Sequence, residues 1–167
     1  MRVSDRIARL VEDRVDVALR VGAPREEGLT TRRLLRTRWQ LVASPTYLAR
    51  RGRPARVEDL AAHTQLRFVL PNGKPRELVV GAAPQEASTL QVDDGEVLLE
   101  AARQGMGIAQ VLDFMTRADL ASGALEAVLS EACPEGPPVH VVHVAGRRGA
   151  ARVRLVVEHL REAFARL

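Results

Sequence analysis

V-D-D-G-E-V-L-L-E-A-A-R-Q-G-M-G-I-A-Q, residues 92–110, reads as the end of a strand, a helix cap, a helix, a glycine turn and a second strand. Val92 closes an apolar run, and Asp93 or Asp94 supplies a short acceptor side chain able to cap free amide groups at a helix start. Val97, Leu98, Ala101 and Ala102 then recur at helical spacing, and Gly105 and Gly107 end the helix. Strand, helix and strand in so short a stretch form a βαβ unit, so the chain is expected to build an α/β fold with a parallel sheet.

Working outward, residues 88–92 form the entering strand, and residues 65–70 form another. Pro71-Asn72-Gly73 lies between the latter and residues 77–81, which predicts a hairpin with 77–81 as its return strand; residues 82–87 read as loop. Upstream, Ser44-Pro45 places a capping hydroxyl before a proline at the first helical position, predicting a short helix over 46–51 that stops at Gly52. Residues 54–63 read as a second short helix, and residues 29–43 as one or two strands polar on one side. Residues 16–21 carry Val17, Ala18, Leu19 and Val21, the pattern of a strand buried on both faces. Before them, Ser4 or Asp5 caps a helix over 6–13. Downstream the pattern predicts a helix over 113–121 stopped at Ser122-Gly123, a strand at 125–129, a loop at 131–138 and a strand at 139–145. The closing helix, 150–167, puts Val153, Val156, Val157, Leu160, Phe164 and Leu167 on one stripe.

Composition narrows the function classes. A length of 167 residues with 46% hydrophobic content supports a real core in one domain or two small lobes. Of the 25 basic residues only Lys74 is a lysine, and the net charge is just +4, with arginines interleaved among 21 acids along the whole chain. Adjacent pairs occur only at Arg32-Arg33, Arg50-Arg51 and Arg147-Arg148, so no stripe for nucleic acid emerges and no direct DNA contact through this chain is expected. Cys133 is the single cysteine, which excludes an internal disulfide and fits a reduced cytoplasm. No apolar run approaches the ~20 residues of a membrane span, and no secretory core opens the chain.

Catalytic and metal chemistry leave little trace. His63, His140, His143 and His159 have no ligand spacing, and His140 and His143, three apart on a strand, point to opposite faces. The glycines of Gly105-Met106-Gly107 close a helix instead of opening one, which excludes a dinucleotide fingerprint. Asp93, Asp94 and Glu96 read as first-turn acids that complement a helix dipole. No enzyme, metal or cofactor is expected. The helix starts at Ser4-Asp5, Ser44 and Asp93-Asp94 each follow a strand, the arrangement that surrounds small-ligand crevices in open α/β sheets and favours carboxylates.

Four stretches in order, SDRIARLVEDRVDVALRVG, RRLLRTRWQLVASPTYLARRGRPARVEDLAAH, VDDGEVLLEAARQGMGIAQ and LASGALEAVL followed by PVHVVHVAG, make the chain resemble the regulatory domain of LysR-type transcriptional regulators over nearly its whole length. The resemblance implies an α/β, two-lobed fold like type 2 periplasmic binding proteins, with lobe I over 1–42 plus 142–167 and lobe II over 43–141. It implies a small, anionic effector in the cleft, bound by Ser4, Asp5, Arg20, Val21, Gly22, Ala43, Ser44, Phe68, Asp94, Gly107, Ile108 and Gln110. Gln110 stands where the family usually has an apolar residue, and Leu112 where it has proline. It further implies that a winged helix-turn-helix, a linker helix and the first strand and helix of lobe I would precede this chain, leaving lobe I incomplete. An uncovered edge on that lobe predicts self-association or pairing with a full-length regulator. The expected function is an effector-binding and oligomerisation domain of a transcription regulator in the cytoplasm. The alternative is a stand-alone cytoplasmic small-molecule binder.

Overall fold

The computed structural model describes residues 10, 12–22, 27–80, 89–145 and 151–165. They divide into two compact units: one is Arg38–Glu135, and the other combines the chain before Arg38 with Gly136–Leu167.

The first unit is built on a mixed sheet of strands β2 (Leu29–Ala43, entering the unit at Arg38), β3 (Gln65–Phe68), β4 (Thr89–Val92), β5 (Ile108–Leu112) and β6 (Glu126–Val128). Their order is β6-β2-β5-β3-β4. β3 runs parallel to both β4 and β5, with Phe68 opposite Val92 and Gln65 opposite Ile108, whereas β2 is antiparallel to β5 with Trp39 opposite Leu112. The βαβ unit is therefore present, with β3 inserted between its two strands. Its helix α2 (Gly95–Arg103) is capped by Asp94, whose carboxylate accepts from the Glu96 and Val97 amides at 2.9 and 3.0 Å. α2 buries Leu98, Leu99, Ala101 and Ala102 against Val42, Leu66, Ala109 and Val111. The stripe is centred on Leu98 and Ala102, so Val97 falls just outside it and is 53% exposed, contrary to its place in the sequence pattern.

The other face of this sheet carries Leu41, Ala43, Ile108 and Leu112, covered by α1 (Pro45–Arg51), a 3-10 helix (Val57–Ala62) and the segment at 77–80. α1 starts as its sequence requires: Ser44 caps the Tyr47 amide, proline occupies the first turn, and Gly52 at φ +83° releases the chain. The expected hairpin return does not form. Both edges of β3 are already taken by β4 and β5, so residues 77–80 have no strand to join; among the described residues a single bridge, Val69 to Pro75, follows the turn. α3 (Asp113–Ser122) completes the unit, tied to α2 by a two-pronged ion pair in which Arg103 Nε and Nη2 donate to Asp119 at 2.8 and 2.9 Å.

The second unit contains β1 (Val17–Val21), β7 (Glu135–Val144, from Gly136), the opening half of β2, and α4 (Ala151–Phe164), in the strand order β1-β7-β2. β7 begins four residues before its expected start, running through Pro137 and Pro138, whose carbonyls accept from the Thr37 hydroxyl and the Gly22 amide. α4 buries Val153 and Val157 against Val141, with Val17, Leu34 and Leu160 beside them. Val156 turns outward at 45% exposed, off the predicted stripe. β1 is also not buried on both faces: it is the outermost strand among the described residues, and Leu19 and Val21 are 46% and 55% exposed. Of the helix expected over 6–13, residues 6–9 and 11 lie outside the described residues, while 12–14 form a turn.

Candidate functional site

In an open α/β sheet the strand ends at which helices begin leave backbone groups uncovered, and ligands gather at the carboxyl ends of the parallel strands. In the first unit those ends are Phe68, Val92 and Leu112. The turn after β3 is set by three local bonds: the Asn72 side chain accepts from Lys74 N at 3.0 Å, and the Leu70 and Lys74 carbonyls accept from Gly73 N and Leu70 N, both at 2.8 Å. Gly73 takes the left-handed conformation, φ +78°, that this reversal needs. The chain therefore comes back alongside β3, and Arg76 N donates to the Phe68 carbonyl at 2.7 Å. The Arg76 guanidinium carbon then stands 5.0 Å from the ring centroids of both Phe68 and Trp39, within cation–π reach of each.

Beyond Arg76 the chain crosses the polar strip of the sheet as a strap. Arg67, 4% exposed, donates from Nε and Nη2 to Gln65 Oε1 at 3.1 and 2.6 Å and reaches Glu77 at 3.4 Å. Gln110 bonds the Val79 peptide in both directions, accepting from its amide at 2.8 Å and donating to its carbonyl at 3.3 Å. A side-chain amide carries the same donor and acceptor as a peptide, so Gln110 stands in for the strand that residues 77–80 lack. Leu78 and Val80 bury on either side of that contact. Cys133 lies in the same core at 1% exposed, and burial pushes its thiol up, against the lowering effect of hydrogen bonds from Leu41 and Gln110.

The predicted site residues fall into separate groups. Phe68 and Asp94 share the carboxyl end of the parallel strands, and Gln110 lies mid-strand beneath the strap. Ala43, Ser44, Gly107 and Ile108 gather at the opposite, amino end: Ala43 and Ile108 are core side chains, Ser44 is a cap, and a Cβ on Gly107 would meet the Thr64 carbonyl. Arg20, Val21 and Gly22 belong to the second unit, where Arg20 pairs with His140, Val21 pairs with Val139, and the Gly22 carbonyl accepts from His140 Nδ1–H at 3.0 Å. Ser4 and Asp5 lie outside the described residues.

At the amino end sits a polar group that the sequence did not flag. Tyr47 Oη accepts from Thr64 N at 2.9 Å and lies 3.1 Å from His63 Nδ1. The assignment that satisfies every atom has the hydroxyl donating to an unprotonated Nδ1. Burial, reinforced by the Arg51 charge and only partly opposed by Asp59, holds His63 below its usual pKa, in keeping with that neutral ring. Among the described residues no group of three or more His, Cys, Asp or Glu could hold a metal, and no helix is long and apolar enough to cross a membrane.

Arg76 and Trp39 escaped the sequence reading because neither follows a motif; the one available signal was that Trp39 is the only tryptophan in the chain. Comparison with known proteins gives the family context. The family described as the LysR substrate binding domain matches residues 1–165. The HTH-type transcriptional regulator CrgA of Neisseria meningitidis is 34% identical over 157 residues, covering 92% of this chain and 52% of the relative. DmlR, an HTH-type transcriptional regulator of Escherichia coli, is 31% identical, covering 98% and 54%. This chain thus spans about half the length of the relatives it matches. The solved regulatory domain of CrgA superposes with a TM-score of 0.74 at 29% identity, over 92% of this chain and 78% of that one. The arrangement is the periplasmic-binding-protein-like fold of such regulatory domains.

Proposed function

Since the chain belongs to the LysR substrate-binding domain family, corresponding to the regulatory portion of full-length regulators, we propose that it senses a small anionic effector on behalf of a bacterial transcription regulator in the cytoplasm. The relatives are transcription regulators, not enzymes, and on this reading the chain carries out no reaction of its own. The first unit corresponds to lobe II and the second to lobe I. The effector engages the carboxyl end of the parallel strands in the first unit, where Phe68 and the Asp94-capped start of α2 stand together. That convergence at one strand end, in a chain of this family, is the observation that carries the proposal.

The chain also pairs with a second copy or with a full-length regulator, and contacts neither DNA nor membrane itself. Support for pairing comes from the exposed apolar side chains of the second unit, Leu19 and Val21 on β1 and Leu155 and Val156 on α4. A stand-alone solute binder is disfavoured, because the matching relatives are regulators.

The test is a thermal melt of the purified chain against aromatic and aliphatic carboxylates and amino acids, with its mass in solution followed in parallel. A ligand that binds only the folded state raises the midpoint with concentration. A midpoint unmoved by every compound would reject the sensing role, and a strictly monomeric mass, alone and with a full-length relative, would reject the pairing role.

A further inference from the structure

We propose that the buried guanidinium of Arg67 is a carboxylate site that the chain fills with its own Glu77, and that a small organic acid binds there by displacing Glu77. The proposal deepens the sensing role above and rests on it. Leu66 and Phe68 turn toward α2, so Arg67 between them faces the strap side of the sheet, one residue short of the carboxyl end of β3. Its side chain is 4% exposed, and a guanidinium so buried needs both hydrogen-bond acceptors and a counter-charge. The closest acceptor is neutral: Nε and Nη2 both donate to the amide oxygen of Gln65, at 3.1 and 2.6 Å. The counter-charge is the carboxylate of Glu77.

Two features mark that ion pair as exchangeable. First, Glu77 meets Nη1 through one oxygen at 3.4 Å, the long end of the hydrogen-bond range. Gln65 takes the Nε/Nη2 edge of the guanidinium, so the Nη1/Nη2 edge is the one that a carboxylate can grip with both oxygens, and Glu77 does not grip it that way. The pair between α2 and α3 shows the contrast within the same unit: Arg103 holds both oxygens of Asp119 at 2.8 and 2.9 Å, and Asp119 is itself buried. Second, the Glu77 side chain is 60% exposed, so little is lost when it turns into water. Leu78 and Val80 stay seated and Val79 stays bonded to Gln110, so the exchange asks for no movement of the strap backbone.

The 167-residue chain, Glu77→Gln and Arg67→Met are titrated with acetate, succinate and benzoate, each beside its uncharged amide. Affinity is read from the rise of each protein's own melting midpoint and from the emission of Trp39, the only tryptophan, which shares a core with Leu78 and Val80. Glu77→Gln removes the competing charge and keeps the shape, so it binds at least one carboxylate about tenfold more tightly than wild type, the gain expected where Glu77 fills the site about nine-tenths of the time. The matching amide binds neither protein, and Arg67→Met does not bind the carboxylate. Equal affinity in wild type and Glu77→Gln overturns the displacement. A carboxylate that raises the midpoint of Arg67→Met as much as that of wild type overturns the site and leaves the sensing role standing. If Arg67→Met does not fold, the comparison of wild type with Glu77→Gln decides alone. No binding to either of those two proteins overturns the inference together with the sensing role.

Discussion

Gly107→Ala adds one methyl group at the most crowded of the glycines described in the first unit. A Cβ there lies 2.5 Å from the Thr64 carbonyl oxygen and 3.1 Å from both Cγ and Cδ2 of Leu66. The same carbonyl accepts the Ile108 amide at 2.9 Å, the bond that aligns the start of β5 with β3. Leu66 is 1% exposed and a carbonyl has no rotamer to change, so relief requires moving a strand. Overpacking of this kind costs about 1–3 kcal/mol, and a weakened ladder bond adds about 1. Reduced freedom of the unfolded chain returns about 0.4–1 kcal/mol. The net is about 1–3.6 kcal/mol of destabilisation, which for a chain of this size lowers the midpoint by about 2–14 °C. Differential scanning calorimetry reads this directly. Gly95→Ala is the matched control: its nearest neighbour is the flexible Met115 methyl at 3.1 Å and it opens a helix, so its midpoint stays level or rises. If Gly107→Ala melts within about 1 °C of wild type, the crowding argument is wrong. An accompanying loss of effector response would then return Gly107 to the ligand contacts suggested by the family resemblance.

Three further outcomes follow from individual contacts. His63 is held below its usual pKa, so the unfolded chain binds a proton that the folded chain resists; stability falls as pH drops below about 6.5, and His63→Gln flattens that dependence in urea melts taken between pH 7.5 and 5. Equal slopes in the two proteins would exclude His63 as the source. Asp119→Ala strips Arg103 of its two-pronged partner between α2 and α3 and costs about 2 kcal/mol, read as a lower urea midpoint; an unchanged midpoint would show the pair to be dispensable. Cys133, buried with a raised pKa, reacts with a thiol reagent at least about tenfold more slowly in the native than in the denatured chain, whereas comparable rates would contradict the packing described.

The elements readable in advance were those whose signals are local. Ser44-Pro45 and Asp94 carry their capping chemistry within three residues, and the helices they start are where the pattern puts them. Burial was less legible because it depends on neighbours remote in sequence. Val17, Leu19 and Val21 look like a buried run, but whether β1 is central or at an edge is decided by pairing with β7. The turn at Pro71-Asn72-Gly73 was legible, yet its hairpin was not, since the deciding fact is that β4 and β5 occupy both sides of β3. The same limit applies at the candidate site. Phe68 and Asp94 could be named from family pattern, while the pairing of Arg76 with Trp39 joins a loop residue to a strand remote in sequence and leaves no periodic trace. Gln110 was singled out as a departure from an apolar position, but its use, bonding the Val79 peptide, could only be seen once residues 77–80 were in place.

That use of Gln110 has a mechanical side. A strand zipped into a sheet is held at every second residue, and pulling it away unfastens the ladder step by step. The strap at 77–80 is instead held at the Val79 peptide by the Gln110 side chain and at Glu77 by Arg67, with Leu78 and Val80 seated on either side of Val79. Lifting it breaks these side-chain contacts and uncovers two apolar side chains, but leaves every strand pair intact. The chain that follows Arg76 is thus fastened to the sheet by buttons, not a seam.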